Sequence, residues 1–284
     1  MDYLKHGENP LTEEDFQRLT EAAIQSARRR LVGRRFIELY GPMGPGVQAI
    51  PYDQFTGTET GYVDIVGEMG EDRVFTDKRT FRTIPIIYKD FLIHWRDLEM
   101  AKQMNMPLDI SAAAGAASWC AEKEDQLIFY GDEHLGYEGL MNHPERNIAE
   151  LHDGWEKAGS AFQDVVSATE TLFENGHYGP YAMAVSPRLF ANLHRFWEDA
   201  RVMEIDTVRR LVQGGIFQSN VIRNPGAVVV SLGEENLDLA VSVDMTVAYL
   251  GAERMNHPFR VLEALILRIK HPDAICTIEP PAKG

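Results

Sequence analysis

The stretch Thr80-Phe81-Arg82-Thr83-Ile84-Pro85-Ile86-Ile87-Tyr88 decides the fold. Its density of β-branched and aromatic residues predicts a strand. The chain is strand-like from 52 to 89, with turns expected at Gly57, Gly61, Gly67 and Gly70. Such a segment folds into a long two-stranded ribbon, and a ribbon with no second layer is marginal in water. The sequence therefore predicts a subunit whose ribbon is covered by a neighbouring copy.

Toward the N-terminus, the first ten residues form an extended arm. Thr12 then opens a helix, with Thr12-x-x-Asp15 resembling a capping box and Glu13, Glu14 and Asp15 at the positive end of the dipole. Phe16, Leu19, Ala23, Ile24, Ala27 and Leu31 recur at helical spacing as one apolar stripe. Arg28, Arg29 and Arg30 complement the helix C-terminus and are expected to pair with acidic neighbours. Gly33 is a natural stop. Gly41-Pro42, Gly44-Pro45-Gly46 and Pro51 interrupt regular structure before the ribbon.

Toward the C-terminus, Asp109 is expected to cap a helix running to Tyr130 and ended by Gly131. At about 1.5 Å per residue this spine would be about 33 Å long. Its run Ala113-Ala114-Gly115-Ala116-Ala117 lets other elements approach closely. An α/β region follows. It contains a helix over 160–175 capped by Ser160, a strand over Tyr181–Val185, and Ser186-Pro187 opening a helix with Leu189, Phe190, Leu193 and Phe196. A further helix covers 203–213. Strands are expected at 216–222, 227–232, 237–249 and 259–270. In the last, Phe259, Val261, Leu265, Leu267 and Ile269 share a face. The class is mixed α+β, too interleaved for a doubly wound sheet.

Composition narrows the function. The length of 284 residues suits one large domain or two small ones. No run of eighteen apolar residues spans a membrane, and the opening residues from Met1 to Gly7 carry no signal core. A cytoplasmic location is therefore expected. Cys120 and Cys276 lack metal-ligand spacing and read as buried reduced thiols. A net charge of −15, from 28 basic and 43 acidic residues, argues against a nucleic-acid partner.

Phosphate-loop, dinucleotide, zincin and serine-elbow motifs are all missing from the sequence. Ser160 and Ser186 sit at helix starts and read as caps. His134, Glu138 and His143, with Asp132 and Glu133, are the best metal candidates, but loop histidines of this kind are ordinarily solvated. Trp95, between His94 and Asp97, could stack on a flat ligand, although packing against a neighbouring element is the simpler role. No catalytic residue, metal or cofactor is assigned.

Several segments together carry a resemblance. They are Leu4-x-x-x-x-x-Pro10-Leu11-Thr12, Gly33-Arg34-Arg35-Phe36, Gly41-Pro42-x-Gly44 and Ala121-x-x-Glu124-Asp125-x-x-Ile128-Phe129-x-Gly131. Gly139-Leu140, Gly179-Pro180-Tyr181, Gly214-Gly215 and Glu263-Ala264-Leu265-Ile266-Leu267 continue the series. In this order the chain resembles the encapsulin shell proteins (family 1, linocin-like). The stretches from Thr83 to Phe91 and from Asn256 to Ala264 are similar to the myxobacterial-type, iron-storage members.

The resemblance implies the Hong Kong 97-type phage major-capsid fold. It divides the chain into an N-terminal arm and helix (1–49), an E-loop (50–83), a first peripheral part with the spine helix (84–144), an axial domain (145–228), and a second peripheral part with the tail (229–284). It implies an icosahedral homo-oligomer of about 180 or about 60 copies that encloses cargo carrying a C-terminal targeting peptide. For this subgroup the implied cargo is ferritin-like, giving iron storage and protection from oxidative stress. A shell for a dye-decolourising peroxidase, or a phage or prophage major capsid protein, is the alternative. By position the peptide groove would use Ile24, Leu31, Arg34 and Glu38, facing Asp244, Met245, Thr246 and Val247. Ile24 and Leu31 serve equally well as plain core, and Arg34 and Glu38 either orient a peptide or pair with one another. Charge reversal at Arg34 is expected to lower cargo loading while leaving assembly intact.

Overall fold

In the computed structural model of the chain, residues 3–56, 63, 65–66, 74–198 and 201–281 are described. The turns expected at Gly57, Gly61, Gly67 and Gly70, and the tail from Ala282 onward, lie outside them.

Helix α1 (Glu13–Arg30) starts at Thr12, whose hydroxyl oxygen accepts from the Asp15 amide while its proton goes to the Asp15 carboxylate. A short strand, β1 (Leu39–Tyr40), follows. The ribbon is β2 (Ala49–Thr56) paired antiparallel with β3 (Phe75–Thr83), with Ala49 opposite Thr83 and a register slip between Gln54 and Phe55. Tyr52 is buried at its base and donates its hydroxyl proton to the Ile269 carbonyl. The stretch read as one strand from Thr80 to Tyr88 is two: β3 ends at Thr83, and β4 (Ile86–Ile93) begins after Ile84-Pro85. Proline brings no N–H to a ladder, so the chain leaves one sheet there and enters another.

Helix α2 (Trp95–Met104) was not expected. Leu98 is its one buried residue, and a single anchor leaves no apolar period to read. The spine is α3 (Ser111–Tyr130), whose 20 residues make it about 30 Å long. Asp109 accepts the Ser111 amide proton just ahead of it. The alanine run does what its size suggests. Ala113, Ala116 and Ala117 are buried, and α3 approaches α1 closely enough for Ser26 and Ser118 to hydrogen-bond at 2.8 Å.

The remaining elements are β5 (Asn147–Glu150), α4 (Ser160–Glu174), β6 (Tyr181–Val185), α5 (Pro187–Leu193), β7 (Phe196–Trp197), β8 (Val202–Met203), α6 (Glu204–Leu211), β9 (Gly215–Gln218), β10 (Ala227–Ser231), β11 (Leu237–Tyr249), β12 (His257–Ile269) and β13 (Ile275–Glu279). Ser160 is not the cap of α4. Gly159 holds that position, and the buried Glu204 carboxylate accepts from the Gly159 and Phe162 amides at 3.0 and 3.1 Å. Ser186 does precede α5, but its hydroxyl accepts from the Gly226 amide and makes no capping bond.

Two main sheets organise these strands. The first, in the order β1-β11-β12-β4, packs under α1 and α3. The second, β5-β13-β10-β6-β9, is apolar on both faces. Along β10, Val228 and Val230 join the core shared with the first sheet, whereas Ala227 and Val229 join a separate core under α4, α5 and α6. That alternation is the period of two expected of a doubly covered strand. The division expected at 228/229 therefore cuts through β10. Strand β13, assigned by sequence to the second peripheral part, belongs to the five-stranded sheet.

Candidate functional site

A groove of about 320 Å³ opens between the last turns of α1, the turn Gly33–Arg35 and strand β11. Ile24, Ala27, Leu31 and Met245 supply apolar walls, and Arg28, Arg35 and Asp244 supply charge. The register of β11 against β12 slips between Val243 and Thr246. A bulge of this kind bends a strand and re-aims its side chains. Here it spans Asp244 and Met245 on the groove wall.

Of the eight residues expected at this site, five line it together: Ile24, Leu31, Arg34, Asp244 and Met245. The other three stand apart. Glu38 is exposed, and its backbone carbonyl accepts from the Leu239 amide. Val247 is buried in the main core, and Thr246 is half-buried beside it.

Arg34 does not pair with Glu38. Its guanidinium spans three carboxylates: Nε donates to Glu124 at 2.7 Å, one terminal nitrogen to Glu263 at 2.9 Å and the other to Asp244 at 2.6 Å. Burial works against the guanidinium's charge, but Glu124 and Glu263 outweigh it and hold the pKa above its ordinary value. Asp244 is 62% exposed in its side chain, whereas those of Glu124 and Glu263 are fully buried. For Asp244, burial raises the pKa, and the hydrogen bond and charge of Arg34 reverse this to leave it lowered. Glu263 is pushed well above its ordinary value, first by burial and then by Glu124.

The next residue of α3, Asp125, accepts from the Val32 and Gly33 amides at about 3 Å and ties the end of α1 to the spine. Burial pushes its carboxyl up to about 7 despite those bonds. A Cβ on Gly33 would come within 2.5 Å of the tip of the Ile128 side chain, so a larger residue there needs Ile128 to shift.

The network under the groove went unassigned from sequence, although its signal was present. Glu263 shares the inward parity of Phe259, Val261, Leu265 and Leu267 on β12, and Glu124 and Asp125 interrupt an otherwise apolar face of α3. A carboxylate at such a position is buried unless the register is wrong, and a buried carboxylate demands a partner.

The other candidates behave differently. Glu138 lies 3.4 Å from Arg82, His143 is buried with Nδ1 accepting from the Glu145 amide, and His134 is exposed. No group of three or more His, Cys, Asp or Glu is arranged to hold a metal ion among the described residues. Trp95 is 40% exposed. Both cysteines are buried free thiols, pushed up to about 12 chiefly by burial. Arg30 meets Glu122 at 2.7 Å, the pairing expected of the arginine triplet. A larger cavity of about 690 Å³ lies at the far end of α3, where Glu138 and Glu279 face Arg82 and Arg146. No helix among the described residues is long and apolar enough to cross a membrane.

Comparison with known proteins gives one answer at two levels. The family model described as "Encapsulating protein for peroxidase" matches residues 1–266. The type 1 encapsulin shell protein EncA of Myxococcus xanthus is 62% identical over 98% of this chain and 96% of its own. A diheme-cytochrome–encapsulin shell fusion protein of Kuenenia stuttgartiensis is 42% identical over 95% of this chain and 74% of its own. Among solved structures, a virus-like particle from Pyrococcus furiosus superposes with a TM-score of 0.77, covering 94% of this chain and 100% of that one at 22% identity. The capsid of Myoviridae phage XM1 superposes at 0.64 over 86% and 89%, with 9% identity, which shows the shared fold alone. The fold is thus the phage major-capsid fold, and the chain belongs to the family of encapsulin shell proteins.

Proposed function

We propose that this shell subunit assembles into an icosahedral particle of about 180 or about 60 copies and docks cargo through a C-terminal targeting peptide laid in the groove beside Arg34. The observation that carries the docking reading is the apolar wall of Ile24, Leu31 and Met245 set beside the Arg34–Asp244 pair. Apolar pockets beside a fixed polar pair suit an extended peptide, whose side chains are read alternately. The cargo is ferritin-like, the shell itself is not an enzyme, and the compartment lies in the cytoplasm. A shell protein of Pyrococcus furiosus in which a ferritin-like segment is fused to the encapsulin chain supports that cargo class. The printed description of the matching family supports peroxidase as the second cargo to try.

In this reading the peripheral domain is built on the first sheet and the spine. The axial domain takes 145–231 together with Ile275–Glu279. The ribbon is the E-loop that reaches a neighbouring subunit, consistent with the exposure of Phe81 on β3. The net charge of −15 suits a shell that packages protein and repels nucleic acid.

The test is co-expression with a ferritin-like protein bearing its C-terminal targeting segment, and in parallel with the same protein lacking it. Hollow particles that retain only the intact cargo are expected, with Ile24→Asp particles assembling but staying empty. Equal retention of both cargo forms, or wild-type loading in Ile24→Asp, overturns the groove assignment.

A further inference from the structure

Glu124 comes from α3 and Glu263 from β12, and both are fully buried beneath the groove. Each uses one oxygen to accept from Arg34. The other oxygens, Oε2 of Glu124 and Oε1 of Glu263, have no hydrogen-bond partner among the described residues. Two ionised carboxylates sharing one guanidinium would leave a net negative charge in the interior, with two acceptors unpaired. Each defect is costly, and together they are worse. A single proton removes both. It brings the buried charge to zero, and the O–H of one carboxyl supplies a donor to the other.

The surrounding charges do not remove the problem. Strand β4 contributes Lys89, which is exposed, and Asp90, which is engaged by Arg260. From α3, Cys120 stays a neutral thiol and Asp125 is engaged by backbone amides. Arg28 of α1 acts on Asp244, and Arg35 acts on Asp125. Arg34 is the cation in hydrogen-bond contact with either glutamate.

We infer that Glu124 and Glu263 hold one proton between them and thereby act as positioning residues for the groove, leaving Arg34 free to grip Asp244 on its wall. Without that proton, Arg34 faces two full buried charges and is drawn inward. Asp244 loses its partner, and with it the geometry that lets the Asp244 carboxylate accept from the Met245 amide at 2.9 Å. This deepens the docking assignment and rests on it for its relevance to cargo, although the proton can be tested on empty shells.

Infrared spectra of assembled, cargo-free shells should show, beside the contribution of the raised Asp125 carboxyl, the C=O stretch of a second buried protonated carboxyl at neutral pH that is lost in Glu263→Gln and in Glu124→Gln. Asp244→Asn should keep it, because Asp244 is an exposed carboxylate. Hydrogen exchange in the peptide spanning Asp244 and Met245 should accelerate with rising pH beyond its intrinsic rate, by up to about tenfold per pH unit. Glu263→Gln, which replaces the shared proton by an amide donor, should abolish that excess at matched pH. A spectrum from which neither glutamine variant removes a component, or exchange with no excess pH dependence, overturns the inference. Comparing cargo-loaded with empty shells separates the two readings. A band and exchange profile as expected, with no added protection at Asp244 and Met245 on loading, sustains the shared proton and removes the docking assignment.

Discussion

Two buried carboxylate clusters, one in each half of the molecule, solve the same problem in opposite ways. In the half built on the five-stranded sheet, Asp164 of α4 is almost completely buried and takes its bonds from three nitrogen atoms. The His152 amide and the Trp155 indole each donate to one oxygen, and the His152 ring meets the other at 2.7 Å. Both oxygens are satisfied, so the cluster works as a lock holding the 152–155 turn against α4. Beneath the groove, Glu124 and Glu263 share one guanidinium and leave two oxygens unpaired. The difference teaches where the molecule has slack. The first cluster keeps both oxygens bonded whether or not the His152 ring carries its second proton. The second changes state with one proton, and it lies under the groove assigned to docking.

The largest effect expected from breaking this contrast is at Arg34. Arg34→Glu strips the cation from two buried carboxylates and adds a third, and losing one partner of a buried ion pair costs about 3–5 kcal/mol. Thermal unfolding and negative-stain microscopy should show a marked fall in melting temperature and few closed particles. This revises the expectation that charge reversal would leave assembly intact. Wild-type melting in this variant would show that the network contributes nothing to stability. Asp164→Ala comes next. It orphans an indole N–H and a backbone amide, a loss of about 1–3 kcal/mol that chemical denaturation would measure. Because the lock has no slack, Asp164→Asn should recover only part of the loss.

How much of this was legible beforehand depends on whether a residue acts through its own pattern or through a distant partner. The Thr12 cap, the alanine face of α3 and the span Leu237–Tyr249 follow from local spacing and appear where expected. Helix α2 and strand β13 do not, since one is held by a single buried leucine and the other is five residues long. At the site, the apolar members Ile24 and Leu31 were visible as part of a stripe. The partners of Arg34 lie 90, 210 and 229 residues away. Spacing along the chain carries no information about such contacts, and so the wrong partner, Glu38, stood four residues off. The inward parity of Glu263 and the two carboxylates on the apolar face of α3 were the clues the pattern offered.

A subtler probe compares the two halves through pH. Asp125, with its carboxyl held up to about 7, binds a proton in the folded chain that the unfolded chain has already released. Its contribution to stability is present at acid pH and is lost as pH rises from the ordinary carboxylate range to about 7. Asp125→Asn keeps an acceptor for the Val32 and Gly33 amides and removes the titration. Its melting temperature should therefore vary less over that window than that of wild type. An undiminished slope in the variant would place the titrating group elsewhere.

The smallest effect should come from the Asp164 lock, in a different window. His152 is held above its ordinary value, chiefly by its hydrogen bond to Asp164 and then by that carboxylate's charge. A raised histidine stabilises the fold while protonated. That contribution is full below the imidazole's ordinary range and disappears as pH climbs through the raised value. Because the ring is largely exposed, solvent screens most of the interaction. His152→Asn retains the backbone amide bond to Asp164 and removes only the titrating ring. It should leave the acid limb of the melting profile unchanged and slightly flatten the limb above neutrality. The Asp125 variant should do the reverse. If both variants flatten the same limb, the two carboxylate clusters are not independent, and the contrast between a fixed lock and a proton-dependent groove fails.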